Sequence, residues 1–319
     1  MDSKKTPKLA VVVPCYNEEE VLPETIKRFS EIFKDLIEKK LISSDSFILF
    51  VDDGSKDSTW QIIKKAAKSN KFIKGIKLSK NQGHQNALLA GMREVANKSD
   101  CMISIDADLQ QDPTAMEEMI KKCHEGYEVV LGVRDSRDTD SFFKKFTALG
   151  YYKIMKLMGV DIEVNHADYR LLSNRALNYF LEFREKNIFI RGMVKLLGLK
   201  STKVIFKNAD RFAGESKYPL KKMLSFAWDG ITSFSLIPLK IITIVGFIIF
   251  LISIGLSFYV FYSVFISHSA IPGWASTVLP IYFLGGIELL ALGVIGEYIG
   301  KIYIEVKNRP LYFIEERVE

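Results

Sequence analysis

The sequence predicts an α/β domain built on a parallel sheet, followed by two membrane-crossing helices. Three observations predict it. Short, apolar, β-branched runs alternate with helix-period segments over the first 215 residues. Acid-rich turns follow several of those runs directly. The last third holds two long apolar stretches.

The bulk numbers allow this division and little else. The chain has 319 residues, 48% of them hydrophobic, and a formal charge of +6. A mild basic excess suits nucleic acid, anionic lipid or phosphorylated substrates alike, so its position must decide. The three cysteines, Cys15, Cys101 and Cys123, follow no disulfide or zinc spacing, which points to a reducing compartment. The first eight residues are polar and the run 9–13 is too short for a signal-peptide core, so none is expected.

Taken in order, 9–14 reads as a first buried strand, and 18–39 carries helical periodicity. A second strand at 47–51 precedes a helix at 58–68. A third at 73–78 precedes a helix through 85–96, and a fourth at 101–105 precedes one from 113 to 124. A fifth strand covers 129–132. Apolar strands alternating with helices argue for a parallel sheet covered on both faces, with ligands beyond the carboxyl ends of the strands. These elements make up a catalytic domain over 1–215.

Two basic, aromatic stretches depart from this pattern. Segment 141–158 interleaves four lysines with aromatic and aliphatic side chains. Segment 216–236 places Leu220, Leu224, Ala227, Ile231 and Phe234 on one helical stripe. Both suit helices in a membrane interface, 216–236 as a juxtamembrane amphipathic helix.

Residues 237–304 hold the predicted spans. Ile241 to Ile266 runs 26 residues without a charge, against about 20 needed to cross a bilayer. The second stretch, 277–299, is interrupted by Glu288 and Glu297, and 267–274 forms the loop between them. Lysines and Arg309 flank the pair while the loop has none. The positive-inside rule therefore puts the catalytic domain, both termini and the tail 305–319 on the cytoplasmic side of a plasma membrane. Glu288 is costly in lipid and is a candidate contact for a homo-oligomer formed through these helices. Because the basic residues cluster at the membrane flank, the bilayer is the expected partner and nucleic acid is not.

The chemistry-bearing residues sit at strand ends. The second strand closes on Asp52, Asp53 and Gly54, with Asp57 or Ser58 able to cap the next helix. The fourth closes on Asp106-Ala107-Asp108. Carboxylates two residues apart on a turn can share one hard divalent cation with a substrate phosphate. Two acidic strand ends on neighbouring strands are a stronger signal than one such triplet.

The ordered series Pro14-Cys15-Tyr16-Asn17-Glu18-Glu19, Val51-Asp52-Asp53-Gly54-Ser55, Asn81-Gln82-Gly83-His84 and Asp106-Ala107-Asp108-Leu109-Gln110 resembles family 2 glycosyltransferases of the GT-A fold. Asp168-Tyr169-Arg170-Leu171, the stretch 211–218 and Gly296-Glu297-Tyr298-Ile299-Gly300-Lys301 narrow the likeness to the polyprenyl-phosphate branch, nearest the bactoprenol glucosyltransferases and akin to dolichol-phosphate mannose synthases. The resemblance implies a nucleotide-sugar donor held by Pro14, Tyr16, Asn17, Glu18, Asp53, Asn81, Gly83, Asp106, Ala107 and Arg134, with Asp53 reading the base edge. It implies Mg²⁺ or Mn²⁺ held by Asp106 and Asp108, with Gln111 as an extra contact. Asp108 and Asp168 are the implied catalytic residues, Asp168 orienting acceptor, sugar or a metal-bound water rather than serving as an obligate base. Arg211 and Lys217, just before the first span, are the candidates for the acceptor phosphate. The expected reaction is single displacement with inversion, moving a hexose from UDP-glucose onto polyprenyl phosphate. UDP-N-acetylglucosamine and GDP-mannose are alternative donors.

Two other classes are weighed. A processive polysaccharide synthase would carry a Gln-x-x-Arg-Trp signature and more spans, and the signature is absent. A non-catalytic, membrane-anchored nucleotide-sugar scaffold could lose acceptor residues, and the presence of Asp106, Asp108, Asp168 and Arg211 argues against it.

Overall fold

The computed structural model describes residues 6–135, 166–186, 188–207, 232, 235, 237–265 and 273–319. Segment 141–158, Arg211, Lys217, and most of 216–236 and 267–274 lie outside the described residues. The chain divides into two compact units.

The first unit is an eight-stranded sheet with helices on both faces. Its strands are β1 (Leu9–Cys15), β2 (Phe47–Asp52), β3 (Ile73–Leu78), β4 (Cys101–Ser104), β5 (Val129–Arg134), β6 (His166–Ser173), β7 (Ser201–Phe206) and β8 (Ile314–Val318). Its helices are α1 (Leu22–Glu38), α2 (Thr59–Ser69), α3 (His84–Val95), α4 (Ala115–His124), α5 (Asn174–Leu181) and α6 (Ile190–Leu196). The strand order is β7-β5-β6-β4-β1-β2-β3-β8. β1 pairs in parallel with β2 and β4, and β2 with β3.

The alternation of side chains along β1 explains the layers. Leu9, Val11 and Val13 join Phe29, Phe33 and Leu36 of α1 and Met116, Met119 and Ile120 of α4 in one core. On the other face, Gly91 of α3 lies against Val12 and Val51. A Cβ there would come within 2.3 Å of Val12 Cγ1, so glycine lets α3 press onto the sheet. That contact seats the start of α3, and with it His84, at the sheet's carboxyl edge.

The sheet is not purely parallel, as the sequence had suggested. β6 runs antiparallel between β4 and β5, pairing Ser104 with Arg170 and Leu131 with Arg170. β8 runs antiparallel to β3 at the sheet's edge. Strands inserted from distant sequence leave no alternating β-α signature, so the periodicity reading could not find them. The inserted β6 brings Asp168 to the same edge as the ends of β1, β2 and β4.

The second unit holds α7 (Ile237–Phe265) and α8 (Trp274–Lys307). Among the described residues, Phe283–Lys307 is one stretch long and apolar enough to cross a membrane, and Ile237–Ile249 is a shorter apolar one. Within this unit Tyr298 donates its hydroxyl to the Ser235 carbonyl at 2.6 Å. Phe247 and Ile252 of α7 and Leu289, Leu290 and Leu292 of α8 are exposed.

Candidate active site

Four strand ends converge at one edge of the sheet. After β1 the chain turns through Asn17, whose φ of 52° is a left-handed conformation that asparagine tolerates well. The turn is laced to the one after β2. Asn17 N–H donates to Ser55 Oγ at 3.0 Å, and Lys56 N–H donates back to Asn17 Oδ1 at 2.9 Å. Glu18 N–H donates to Thr59 Oγ1 at 2.9 Å. Pro14, Tyr16, Asn17 and Glu18 therefore form one wall whose shape rests on backbone bonds to the second turn.

Asp53 joins the second turn to the loop before α3. Its Oδ1 accepts the Gln82 N–H at 2.7 Å and its Oδ2 the Gly83 N–H at 2.9 Å. Burial pushes the Asp53 carboxyl above its ordinary value, and these two donors work against that rise. Next to it Gly54 has φ of 66°, and a Cβ there would lie 2.5 Å from the Lys80 carbonyl carbon. Only glycine lets the two turns meet so closely. Asn81 is exposed on this loop, while Gly83 and His84 are half-buried. Asp52 lies beneath, with Oδ1 accepting Ser55 N–H and Oδ2 without a hydrogen-bond partner.

The turn after β4 carries Asp106, Ala107 and Asp108. Leu109 at φ 58° turns the chain, and Thr25 Oγ1 of α1 holds the Ala107 carbonyl at 2.8 Å. Both oxygens of Asp106 are engaged. His84 Nε2 lies 2.9 Å from Oδ1, and Gln111 Nε2 donates to Oδ2 at 2.6 Å. Gln111 is buried, and its Oε1 also accepts the Asp106 N–H at 3.2 Å. Gln111 thus supports Asp106 at both ends of its amide. Asp108 is half-buried, and its Oδ1 accepts the Gln110 N–H at 3.1 Å. Burial by itself would lower the His84 pKa, but its bond to Asp106 raises it to about 8.

Asp168 sits at the end of β6 nearest this turn, with its carbonyl accepting Ser104 Oγ–H at 3.0 Å. Its carboxylate faces two guanidiniums. Arg170 Nη2 lies 2.5 Å from Oδ1; Arg191 Nη2 lies 2.7 Å from Oδ2, with Arg191 Nε 3.2 Å from Oδ1. Burial would raise the Asp168 carboxyl, but Arg191 and Arg170 outweigh it and hold it well below the usual carboxylate range. An acid held so firmly ionised is a poor proton acceptor at neutral pH. Arg134, at the same edge on β5, is half-buried with Nε unpartnered.

The described residues thus bring together Pro14 to Glu18, Asp53, Asn81, Gly83, Asp106, Ala107, Asp108, Gln111, Arg134 and Asp168 at one edge. The sequence reading quotes His84 and Arg170 within family motifs without giving either a role, and does not name Arg191. A charge inside the apolar run Ile188-Phe189-Ile190-Arg191-Gly192-Met193-Val194 was the available signal, since buried charges need partners.

The donor set suits a hard divalent cation. Asp106 and Asp108 offer carboxylate oxygens two residues apart on one turn. Among the described residues no group of three or more His, Cys, Asp or Glu side chains gathers for a metal. A cation here would take its remaining oxygens from a substrate and water, as Mg²⁺ and Mn²⁺ do when shared with phosphates.

The family model described as glycosyl transferase family 2 matches residues 10–180. An uncharacterized glycosyltransferase of Bacillus subtilis, YkoT, is 51% identical over 97% of this chain and 91% of its own. A prophage-derived bactoprenol glucosyl transferase of Shigella flexneri is 36% identical over 97% of this chain and 98% of its own. Among solved structures, the mannosyltransferase PcManGT of Pyrobaculum calidifontis is 16% identical, covering 72% of this chain and 71% of its own, with a TM-score of 0.48. The match of the family model over residues 10–180 and the 51% identity to YkoT over 97% of this chain show that the chain belongs to glycosyl transferase family 2.

Proposed function

We propose that this glycosyltransferase moves a hexose, with UDP-glucose the favoured donor, onto a polyprenyl phosphate at the cytosolic face of a membrane, with inversion at the anomeric carbon. The observation that carries the reading is the convergence of Asp53, Asp106, Asp108 and Asp168 at one sheet edge. It stands in a chain alike, over nearly its whole length, to a protein named bactoprenol glucosyl transferase.

Each residue has a task in this reading. The Asn17–Ser55 turns and the Asp53-fastened loop with Asn81 and Gly83 hold the nucleoside. Asp106 and Asp108 hold Mg²⁺ or Mn²⁺ against the diphosphate, where such an ion offsets charge on the leaving group. His84 and Gln111 keep Asp106 in position, and Arg134 faces phosphate. A phosphate acceptor is already anionic at neutral pH and needs little general-base help. An ionised, doubly paired Asp168 fits that chemistry as an orienting group. Arg211 and Lys217 are proposed to meet the lipid phosphate.

We read α7 and α8 as a membrane hairpin. β8, which follows α8, pairs with β3 of the catalytic sheet. The chain thus returns to the sheet it left, which favours two crossings over one. Labelling of a cysteine introduced at Ser269 by an impermeant reagent in intact cells checks the outward loop. Protection of that site would overturn the hairpin.

Membranes containing the protein, given undecaprenyl phosphate and labelled UDP-glucose, UDP-N-acetylglucosamine or GDP-mannose, test the reaction. Label should enter the lipid phase from UDP-glucose. Nucleotide binding with no lipid label from any donor would instead favour the non-catalytic scaffold.

A further inference from the structure

We propose that His84 recognises the transferred sugar, pairing Nδ1 with a hexose hydroxyl while Nε2 holds Asp106. The inference rests on the transferase reading above and adds a substrate contact that reading does not assign.

The backbone of His84 is fixed from both sides. Just before it, the Gly83 N–H donates to Asp53 Oδ2 at 2.9 Å. Just after it, the Asn86 and Ala87 N–H groups both donate to the Gly83 carbonyl at 3.0 Å, closing the first turn of α3. Gly83 has φ of 87°, a conformation glycine adopts freely. Further along α3, Gly91 lies against Val12 and Val51 of the sheet. Position 84 is therefore set by backbone contacts before its side chain acts.

The ring is fixed as well, and through one nitrogen only. Nε2 lies 2.9 Å from Asp106 Oδ1. A carboxylate only accepts, so Nε2 carries the hydrogen of this bond. Among the described residues Nδ1 has no hydrogen-bond partner. Gln111 shows the contrast. It also holds Asp106, commits both ends of its amide there, and is 2% exposed. The His84 side chain is 35% exposed and supports Asp106 with only one of its two polar atoms.

The surroundings of the ring point to the ligand class. His84 stands near enough to Asp168 and Arg191 to feel their charges as well as that of Asp106. In the transferase reading the diphosphate is held at Asp106 and Asp108, and Asp168 orients what lies beyond it. The transferred sugar joins those two places, next to His84. A hydroxyl both donates and accepts, so it pairs with Nδ1 whether that atom carries a hydrogen or a lone pair. The contact thus holds for a neutral and for a charged ring. Because backbone and Nε2 already fix the ring, the bond costs little in side-chain ordering.

The test uses the full-length protein with Mn²⁺ present and compares wild type with His84→Gln, His84→Asn and His84→Ala. The amide nitrogen of glutamine takes the place of Nε2, and that of asparagine the place of Nδ1. Affinities for UDP and UDP-glucose are measured by calorimetry, with melting temperature and transfer to undecaprenyl phosphate followed alongside. His84→Gln should keep its affinity for UDP and lose about tenfold for UDP-glucose, the scale of one hydrogen bond. His84→Asn should keep the preference for UDP-glucose over UDP while both bind more weakly, because Asp106 loses its support. His84→Ala should lose on both counts.

Two results in His84→Gln overturn the proposal. If both affinities stay at wild type, His84 only supports Asp106; if both fall in step, Nδ1 meets the diphosphate and not the sugar. Should His84→Gln fail to fold, the ratio of the two affinities in His84→Ala decides. A ratio equal to wild type overturns the proposal, and a ratio lowered about tenfold supports it. A wild type that binds UDP-glucose but labels no lipid indicts the transferase reading instead, while the affinity ratio still reports on His84.

Discussion

Asp53 accepts the backbone N–H groups of Gln82 and Gly83 with its two carboxylate oxygens, at 2.7 and 2.9 Å. One side chain at the end of β2 therefore sets the loop that leads into α3 and His84. Asp53→Ala leaves two partly buried N–H groups without their acceptor, at about 1–3 kcal/mol each. UDP affinity should fall by tenfold or more on this scale, with a smaller loss of thermal stability. Calorimetric binding equal to wild type would count against the loop as a nucleotide wall.

Gly54 tests the same junction from the backbone. Alanine there meets both a left-handed φ of 66° and the Lys80 carbonyl carbon at 2.5 Å. The conformation alone costs about 1–2 kcal/mol, and the overlap adds to it. Gly54→Ala should melt several degrees lower and bind UDP more weakly. Gly126→Ala, also at positive φ but with nothing within 4 Å, is the control and should lose only the conformational part.

Asp108 supplies the test of metal dependence. Asp108→Asn keeps the size of the side chain and its acceptor for Gln110 N–H while removing the charge. Transfer should drop by about 10² to 10³ with the fold intact. Full turnover in the variant, or in wild type with excess chelator, would sink the metal reading.

The His84–Asp106 pair predicts a pH dependence of stability without metal. Its pKa of about 8 in the folded chain exceeds the ordinary histidine value of 6.5. The folded state therefore holds the proton more tightly, and the pair stabilises fully below about pH 6.5. That contribution is lost as pH rises through about 8. The melting-temperature difference between wild type and His84→Gln should be largest near pH 6 and small by pH 9. A difference that grows with pH would contradict the charged pair.

The tail offers a further test. Trp60 Nε1 donates to Glu316 at 2.7 Å, and Ser79 N–H donates to the Phe313 carbonyl at 3.0 Å where the loop begins. Trp60→Phe should cost about 1 kcal/mol. Truncation after Asn308 removes β8, exposes the edge of β3 and should lower the melting temperature far more. Equal stability of the truncated chain would show that β8 does not close the sheet.

Much of this architecture is legible in local sequence. β1, β2 and β4 are nearly continuous apolar runs because both their faces are covered, and α1 and α4 carry apolar stripes that reach the core. The acidic turns at Asp52-Asp53-Gly54 and Asp106-Ala107-Asp108 can be read because a strand's end fixes where its next residues lie. Family membership follows from the order of such turns, and the apolar character of 237–304 from composition alone.

Tertiary structure decided the rest. β6 takes its place between β4 and β5, and β8 its place beside β3, through backbone hydrogen bonds between segments far apart in the chain; side-chain periodicity records no such partner. The same holds for charge. Asp168 is an acid in a strand until β6 is inserted, and Arg191 a lone cation in an apolar run until Gln85 seats α6. Their 2.7 Å contact spans 23 residues of sequence and depends on both placements. Gln111 offers a similar lesson, since only the closed turn shows its amide committed to Asp106. Sequence determined which residues lie at the sheet's edge, because that follows from local geometry. Which of them neutralise one another depended on the folded chain, because Coulomb and hydrogen-bond energies act over a few ångströms of space regardless of separation along the chain.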